Sequence, residues 1–280
     1  MSSELYIVAT PIGTLSDMSP RAQKVLSEVD IVISEDTRTT QKLLSQWNLH
    51  CKKLVSLPGF REKEDALPLV QQILNVGQAA LVSDAGTPAI SDPGAYLVDA
   101  AHKAGIVIRS VPGPSSLTSA LAASGFVAPR SLFAGFFPRE ASKQQEEIEI
   151  WKKAAPCIIA FFESPQRVCA TLATLAKSLP PTTPVCLSRE ISKKFEEHIR
   201  GPLGSFQGMV QPKGECVVTL LVEPTPSEEA LGGLEEALLY LSFLVQNQQR
   251  PLKELCKAAA LPFQISAKEL YQAWTKRHKE

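Results

Sequence analysis

Short apolar runs that break off into loops of proline, glycine and hydroxyl side chains alternate with segments of helical period along the first half of this chain. Residues 5–10 (LYIVAT), 31–34 (IVIS), 54–57 (LVSL), 79–82 (AALV) and 106–111 (IVIRSV) have the length and composition of buried strands. Between them, Ala22, Val25, Leu26 and Val29, then Leu43, Leu44 and Trp47, then Leu69, Val70, Ile73 and Leu74 recur at helical spacing. Further helices are expected over 95–104 and from Ser115 to Ser124. Ser19-Pro20 supplies an N-cap and a proline at the first helical position, and Asp36 is placed to cap a helix over 39–47. Strand and helix in alternation predict a largely parallel, three-layer α/β domain.

The second half changes character. Residues 132–137 (LFAGFF) and 157–162 (CIIAFF) are aromatic strand candidates separated by a charged helix over 142–153, and 185–188 and 216–222 are further strands. Glu163-Ser164-Pro165 ends one strand and is expected to start a second Ser-Pro-capped helix. This half reads as another α/β domain with more antiparallel pairing. Pro224-Thr225-Pro226-Ser227 reads as a stiff linker, followed by helices over 231–245, 253–260 and 267–276. The expected domains are 1–113, 114–223 and 224–280.

Chemistry is concentrated in three loops: Pro11-Ile12-Gly13, the stretch SDAGTPAISDPG over 83–94, and Pro112-Gly113-Pro114-Ser115-Ser116. Ligands of open α/β sheets bind beyond the carboxyl ends of the strands, so loops that follow parallel strands share one edge. Neither GxGxxG nor GxxxxGK[ST] occurs, and Pro11, Pro88, Pro93, Pro112 and Pro114 remove backbone donors that a phosphate cradle needs. The loops suit contact through carbonyls, hydroxyls and apolar groups. A nucleoside carrying a cationic sulfonium fits them better than NAD or ATP; each loop taken alone is equally well a tight turn.

Composition narrows the classes. The 280 residues carry no formal net charge, with a pI near 6.9, so no general attraction to nucleic acid or anionic membrane exists. A local exception lies in residues 250–279, where Arg250, Lys253, Lys257, Lys268, Lys276, Arg277 and Lys279 face only Glu254 and Glu269. Such helices suit either a helix-turn-helix-like nucleic-acid contact or a solvated cap or dimer contact. Six cysteines without a CxxC pair read as reduced, mostly buried thiols, and no metal-ligand spacing is present. With no signal pattern at the N-terminus and apolar runs too short to span a bilayer, a cytoplasmic protein is expected.

LYIVATPIGTL, SEDTRTTQKLL, LVSDAGTPAISDPG, VPGPSSLTSALAASG, FFESPQR, REISKKFEE and RGPL through KGE occur in this order. Each is weak alone; together, over residues 4–223, they make the chain similar to the tetrapyrrole methylase superfamily, and within it to the branch that methylates ribosomal RNA on ribose. The resemblance implies two α/β domains with S-adenosylmethionine in the cleft between them and a small helical tail. It implies that Pro11, Asp84, Thr87, Ser115 and Ser116 line the cofactor pocket, with Phe162 and Glu215 contributing from the second domain. It also implies a homodimer acting on the ribose 2′-hydroxyl of a cytidine in 16S rRNA of the small ribosomal subunit. Thr14, Gln166 and the stretch Leu57-Pro58-Gly59-Phe60 depart from the family pattern.

For methyl transfer to a hydroxyl, Asp36 and Glu163, each at a strand end, are candidate bases, with Glu190 third. Arg38, Arg167, Arg189 and Lys193, with Lys276 and Arg277 in the tail, are candidates to hold RNA phosphates. The alternatives are C-methylation of a tetrapyrrole, which has no use for a basic tail, and a nucleotide-binding module without catalysis. A dehydrogenase is disfavoured by the missing glycine fingerprint.

Overall fold

The structure, a computed structural model, describes residues 3–224 and 233–278. It divides into two compact units, one running through Ser119 and including Glu190–Glu196, the other comprising Ala120–Arg189 and the described residues from Glu197 onward.

The first unit follows the expected alternation: β1 (Glu4–Val8), α1 (Pro20–Glu28), β2 (Ile31–Ser34), α2 (Thr37–Gln46), β3 (Leu54–Ser56), α3 (Glu62–Val76), β4 (Gln78–Val82), α4 (Ala95–Lys103) and β5 (Val107–Val111). All neighbouring strands run parallel, in the order β3-β2-β4-β1-β5. Leu5, Ile31, Ile33 and Leu81 pack on one face against Leu69, Val70 and Ile73 of α3 and Leu97 of α4. Val8, Val32, Ala80 and Val82 pack on the other against Ala22 and Leu26 of α1 and Leu44 of α2. Covered on both faces, the central strands have no polar side to show, which is why they read as unbroken apolar runs. The order sets β4, β1 and β5 side by side, so the loops that leave their carboxyl ends adjoin.

The boundary between units falls within α5 (Ser116–Ser124). The second unit then contains β6 (Ser131–Phe136), α6 (Ala141–Ala154), β7 (Cys157–Glu163), α7 (Val168–Leu175), β8 (Pro184–Arg189), β9 (Glu197–Pro202) and β10 (Cys216–Val222). The strand order is β6-β7-β10-β8-β9; only β6 and β7 pair in parallel, in keeping with the expected antiparallel bias. Its core is centred on Phe137, Trp151 and Phe161, with the Trp151 and Phe161 rings stacked 5.6 Å apart and the Trp151 indole N–H donating to Glu147 at 2.8 Å.

Two elements differ from expectation. Strand β9 was not predicted: Glu197-His198-Ile199-Arg200-Gly201-Pro202 is an edge strand whose charges and Gly-Pro end protect an unpaired rim and leave no apolar alternation to read. Helix α7 starts at Val168 rather than beside Pro165: residues 165–167 form a turn whose Arg167 and Val168 N–H groups both donate to the Ser164 carbonyl, and no side chain caps the helix.

The tail forms α8 (Leu234–Asn247), α9 (Leu252–Ala260) and α10 (Ala267–Arg277), packed through Leu241, Leu244, Leu255, Ala259, Leu270 and Trp274. Ser266 caps α10 by accepting from the Lys268 N–H. The expected linker beyond Pro224, the first residues of the helix expected from 231, and Lys279 lie outside the described residues. No helix among the described residues is long and apolar enough to cross a membrane.

Candidate active site

The three proline-bearing loops are tied to one another. Thr10 N–H donates to Gly86 O at 2.8 Å and Gly86 N–H donates back to Thr10 O at 3.0 Å, joining the loop after β1 to the loop after β4. The Thr10 hydroxyl, fully buried, reaches Ser83 O at 3.3 Å. On the other side Ala9 N–H donates to Val111 O at 3.2 Å, and a Cβ at Gly113 would stand 3.1 Å from that of Ala9. Thr87 Oγ1 donates to Pro114 O at 3.3 Å, closing the loop after β4 onto the loop after β5. Gly86 at φ +83°, with Ala89 and Ser91 both at φ +64°, holds the central loop in left-handed turns that only glycine adopts without cost.

Along this edge Pro11 is buried, Thr87, Ser115 and Ser116 are half-buried, and Asp84 is exposed. Ser115 O accepts the Ser119 N–H, which sets the two serines at the start of α5. Glu35 and Asp36 follow β2, next to β4, and the Asp36 N–H donates to Asp84 Oδ1 at 3.2 Å. Partial burial, and then mutual repulsion among these acids, pushes the Glu35, Asp84 and Asp92 carboxyls above their ordinary range. The edge is therefore rich in carboxylates and hydroxyls, and its five prolines, Pro11, Pro88, Pro93, Pro112 and Pro114, supply no backbone donor. That donor set suits a polar ligand bearing positive charge and is ill suited to a pyrophosphate.

The two carboxylates expected to serve as bases are committed elsewhere. Asp36 caps α2 by accepting the Arg38 N–H at 2.8 Å, and its carboxylate also takes two bonds from the Arg38 guanidinium, at 3.1 and 2.7 Å. Those bonds hold its pKa down to about 2, so it is a weak base near neutrality. Its support for the fold is fully present above the usual aspartate range and is lost progressively as pH falls from there through about 2. Glu163 has a fully buried side chain that accepts from Thr171 Oγ1 at 2.7 Å and from Ser164 N–H at 2.8 Å, with Arg167 at 3.4 Å. It anchors the turn between β7 and α7.

The candidate phosphate ligands divide similarly. Arg167 donates at 3.0 Å to both Phe137 O and Pro138 O, so its guanidinium is spent on the fold. Arg189 pairs with Glu197 at 2.7 Å, Lys193 with Glu190 at 3.1 Å and Arg277 with Glu235 at 2.7 Å. Arg38 bonds Asp36 yet leaves 86 % of its side chain in solvent, and Lys276 is exposed. In the second unit Phe162 meets Phe133 and Phe136 edge-on, with ring centroids 5.0 and 5.6 Å away, and Glu215 is exposed ahead of β10.

Two contributors were not read from the sequence. Glu62 caps α4 from α3, its carboxylate accepting Gly94 N–H at 2.8 Å and Tyr96 N–H at 2.7 Å; the signal was a helix opening on Gly94, which has no side chain to cap with. Ser192 fastens the segment Glu190–Glu196 to the loop after β1: Thr14 N–H donates to its hydroxyl at 3.1 Å, that hydroxyl donates to Asp17, and Thr14 Oγ1 donates to its carbonyl at 2.6 Å. A Cβ at Gly13 would stand 2.5 Å from Ser192 O, so only glycine permits this approach.

Comparison with known proteins agrees with this arrangement. Residues 4–207 match the family model for tetrapyrrole (corrin/porphyrin) methylases. The chain is 37 % identical over 274 residues to the ribosomal RNA small subunit methyltransferase I of Vibrio cholerae, covering 96 % of this chain and 93 % of that protein. It is 37 % identical over 268 residues to the protein of the same name from Pseudomonas aeruginosa, covering 94 % and 92 %. Among solved structures, the uroporphyrin-III C-methyl transferase of Thermus thermophilus complexed with S-adenyl homocysteine shares the fold, with a TM-score of 0.55 at 16 % identity over 78 % of this chain and 97 % of that one. From the parallel sheet with its joined loops to the match over residues 4–207, the chain belongs to the tetrapyrrole (corrin/porphyrin) methylase family.

Proposed function

We propose that this protein transfers the methyl group of S-adenosylmethionine to ribosomal RNA of the small subunit, at the ribose 2′-hydroxyl of a cytidine in 16S rRNA. The relatives in Vibrio cholerae and Pseudomonas aeruginosa, alike over almost their whole length, support the substrate class. The observation that carries the cofactor is the joined, acid-lined edge of β4, β1 and β5, which welcomes positive charge and offers few donors to phosphate.

Pro11, Asp84, Thr87, Ser115 and Ser116 are proposed to hold the cofactor in the first unit. The cofactor, when bound, supplies an electrophilic methyl on sulfonium. The chain's part is to fix the donor, exclude water and align the accepting hydroxyl; such alignment lowers barriers by roughly 7–11 kcal/mol and does not demand a strong base. None is assigned, since Asp36 and Glu163 serve the fold and Glu190 is paired with Lys193. Arg38, Lys276 and Arg277 are proposed to meet RNA phosphates. A cytoplasmic homodimer completes the proposal.

Incubation with labelled S-adenosylmethionine and small subunits from a strain lacking this enzyme tests it, with free 16S rRNA and a uroporphyrinogen as parallel acceptors. Label on a cytidine ribose of the RNA is expected. Label on the macrocycle alone would replace this function with tetrapyrrole methylation.

A pH dependence follows from the raised carboxyls. A cation bound beside Glu35, Asp84 and Asp92 favours their ionised forms, so binding releases protons in the range where these groups are partly protonated. Affinity for S-adenosylmethionine is expected to weaken as pH falls through that range, while the empty fold gains stability over the same interval. Calorimetry at pH 5 and pH 7.5, in buffers of differing ionisation enthalpy, measures both affinity and proton release.

A further inference from the structure

We propose that Phe195, with Lys194 beside it, forms a stacking platform for an RNA base next to the methylated nucleotide; this deepens the RNA-methyltransferase reading above and rests on it. The segment Glu190–Glu196 groups with the first unit. Its backbone is set by two left-handed residues, Glu190 at φ +51° and Ser192 at φ +64°, and by the bonds of Ser192 to Thr14 and Asp17. Glu196 Oε2 accepts the Ser192 N–H at 2.7 Å, and Lys193 N–H bonds Glu190 O at 2.9 Å. The segment is thus a fastened strap against the loop that carries Pro11, not a loose excursion.

On this strap Phe195 leaves 64 % of its surface in solvent, a large apolar exposure that the fold does not use. The Lys194 ammonium stands 5.6 Å from the ring centroid and makes no ion pair among the described residues, whereas the neighbouring charges Glu190, Lys193, Arg189 and Glu197 are paired. An exposed ring with a cation over one face that makes no ion pair, held by a hydrogen-bonded backbone, is the arrangement by which proteins take unstacked bases of single-stranded RNA: the open face meets a base and the cation a phosphate. The cation beside the ring, which makes no ion pair among the described residues, argues for RNA over an apolar protein partner.

The test is steady-state methylation of small subunits by Phe195→Ala, Phe195→Leu, Phe195→Trp and Lys194→Gln, with S-adenosylmethionine affinity measured by calorimetry for each. Phe195→Ala is expected to raise the KM for subunits about fivefold or more, the lower end of what one base stacked on a ring contributes, with cofactor affinity unchanged. Phe195→Trp should restore the wild-type KM and Phe195→Leu should not. Lys194→Gln should raise KM and flatten its dependence on salt. An unchanged KM in Phe195→Ala, or rescue by leucine equal to that by tryptophan, overturns the platform while leaving the methyltransferase reading intact. Failure of the wild-type protein to label RNA at all would instead remove the reading on which it rests.

Discussion

Replacing Glu163 with alanine should destabilise the protein by about 3–5 kcal/mol, the cost of removing one partner from a buried, charged hydrogen-bond set. The side chain is fully buried, and its loss strands Thr171 Oγ1, the Ser164 N–H and one side of the Arg167 guanidinium. Arg167 also carries Phe137 O and Pro138 O, so the damage reaches the start of the chain between β6 and α6. Glu163→Gln keeps the size and an acceptor for Thr171 and should cost less than half as much. Denaturant titration gives the stabilities, and methyl transfer by the folded Glu163→Gln protein separates the roles. An anchoring carboxylate leaves kcat within a few fold of wild type; a catalytic base would lower it by about 100-fold or more.

Gly86→Val is expected to abolish measurable cofactor binding, lowering affinity by about 100-fold or more. A β-branched residue at φ +83° is strained by about 1–3 kcal/mol, and its Cβ would press within 3.3 Å of Ile12 Cγ2. The strain in φ is expected to be relieved by the loop after β4 parting from Thr10, which would undo the two-bond bridge and spread the edge to which Pro11, Asp84 and Thr87 belong. Gly77→Ala is the control. It too sits at positive φ, +99°, but at the end of α3 with nothing within 4 Å of the added carbon. It should cost about 1–3 kcal/mol of stability and leave cofactor affinity unchanged. Equal loss of affinity in both variants would show that global stability, not loop geometry, governs binding.

Much of the first unit was legible because doubly covered parallel strands and amphipathic helices write their periods plainly, and Ser19 and Asp36 cap where their residue types indicate. The three loops could be placed on one edge from strand syntax alone, and their direct bonds confirm that placement. What escaped was long-range. Nothing local shows that Arg167 would turn inward to two carbonyls, that Glu163 would be sealed in the second unit, or that Ser192 would reach Thr14 across 178 positions. Carboxylates and arginines at strand ends have one sequence appearance and two fates, and packing selects between them. Strand β9 was hidden for the opposite reason: a protective edge strand is polar by necessity.

The claim that this sheet edge holds a sulfonium donor is tested most directly by calorimetry of the purified protein with S-adenosylmethionine and, separately, with NADPH. Saturable one-site binding of S-adenosylmethionine, lost in Gly86→Val and kept in Gly77→Ala, is expected, together with no heat from NADPH. Binding of NADPH with indifference to S-adenosylmethionine would contradict it.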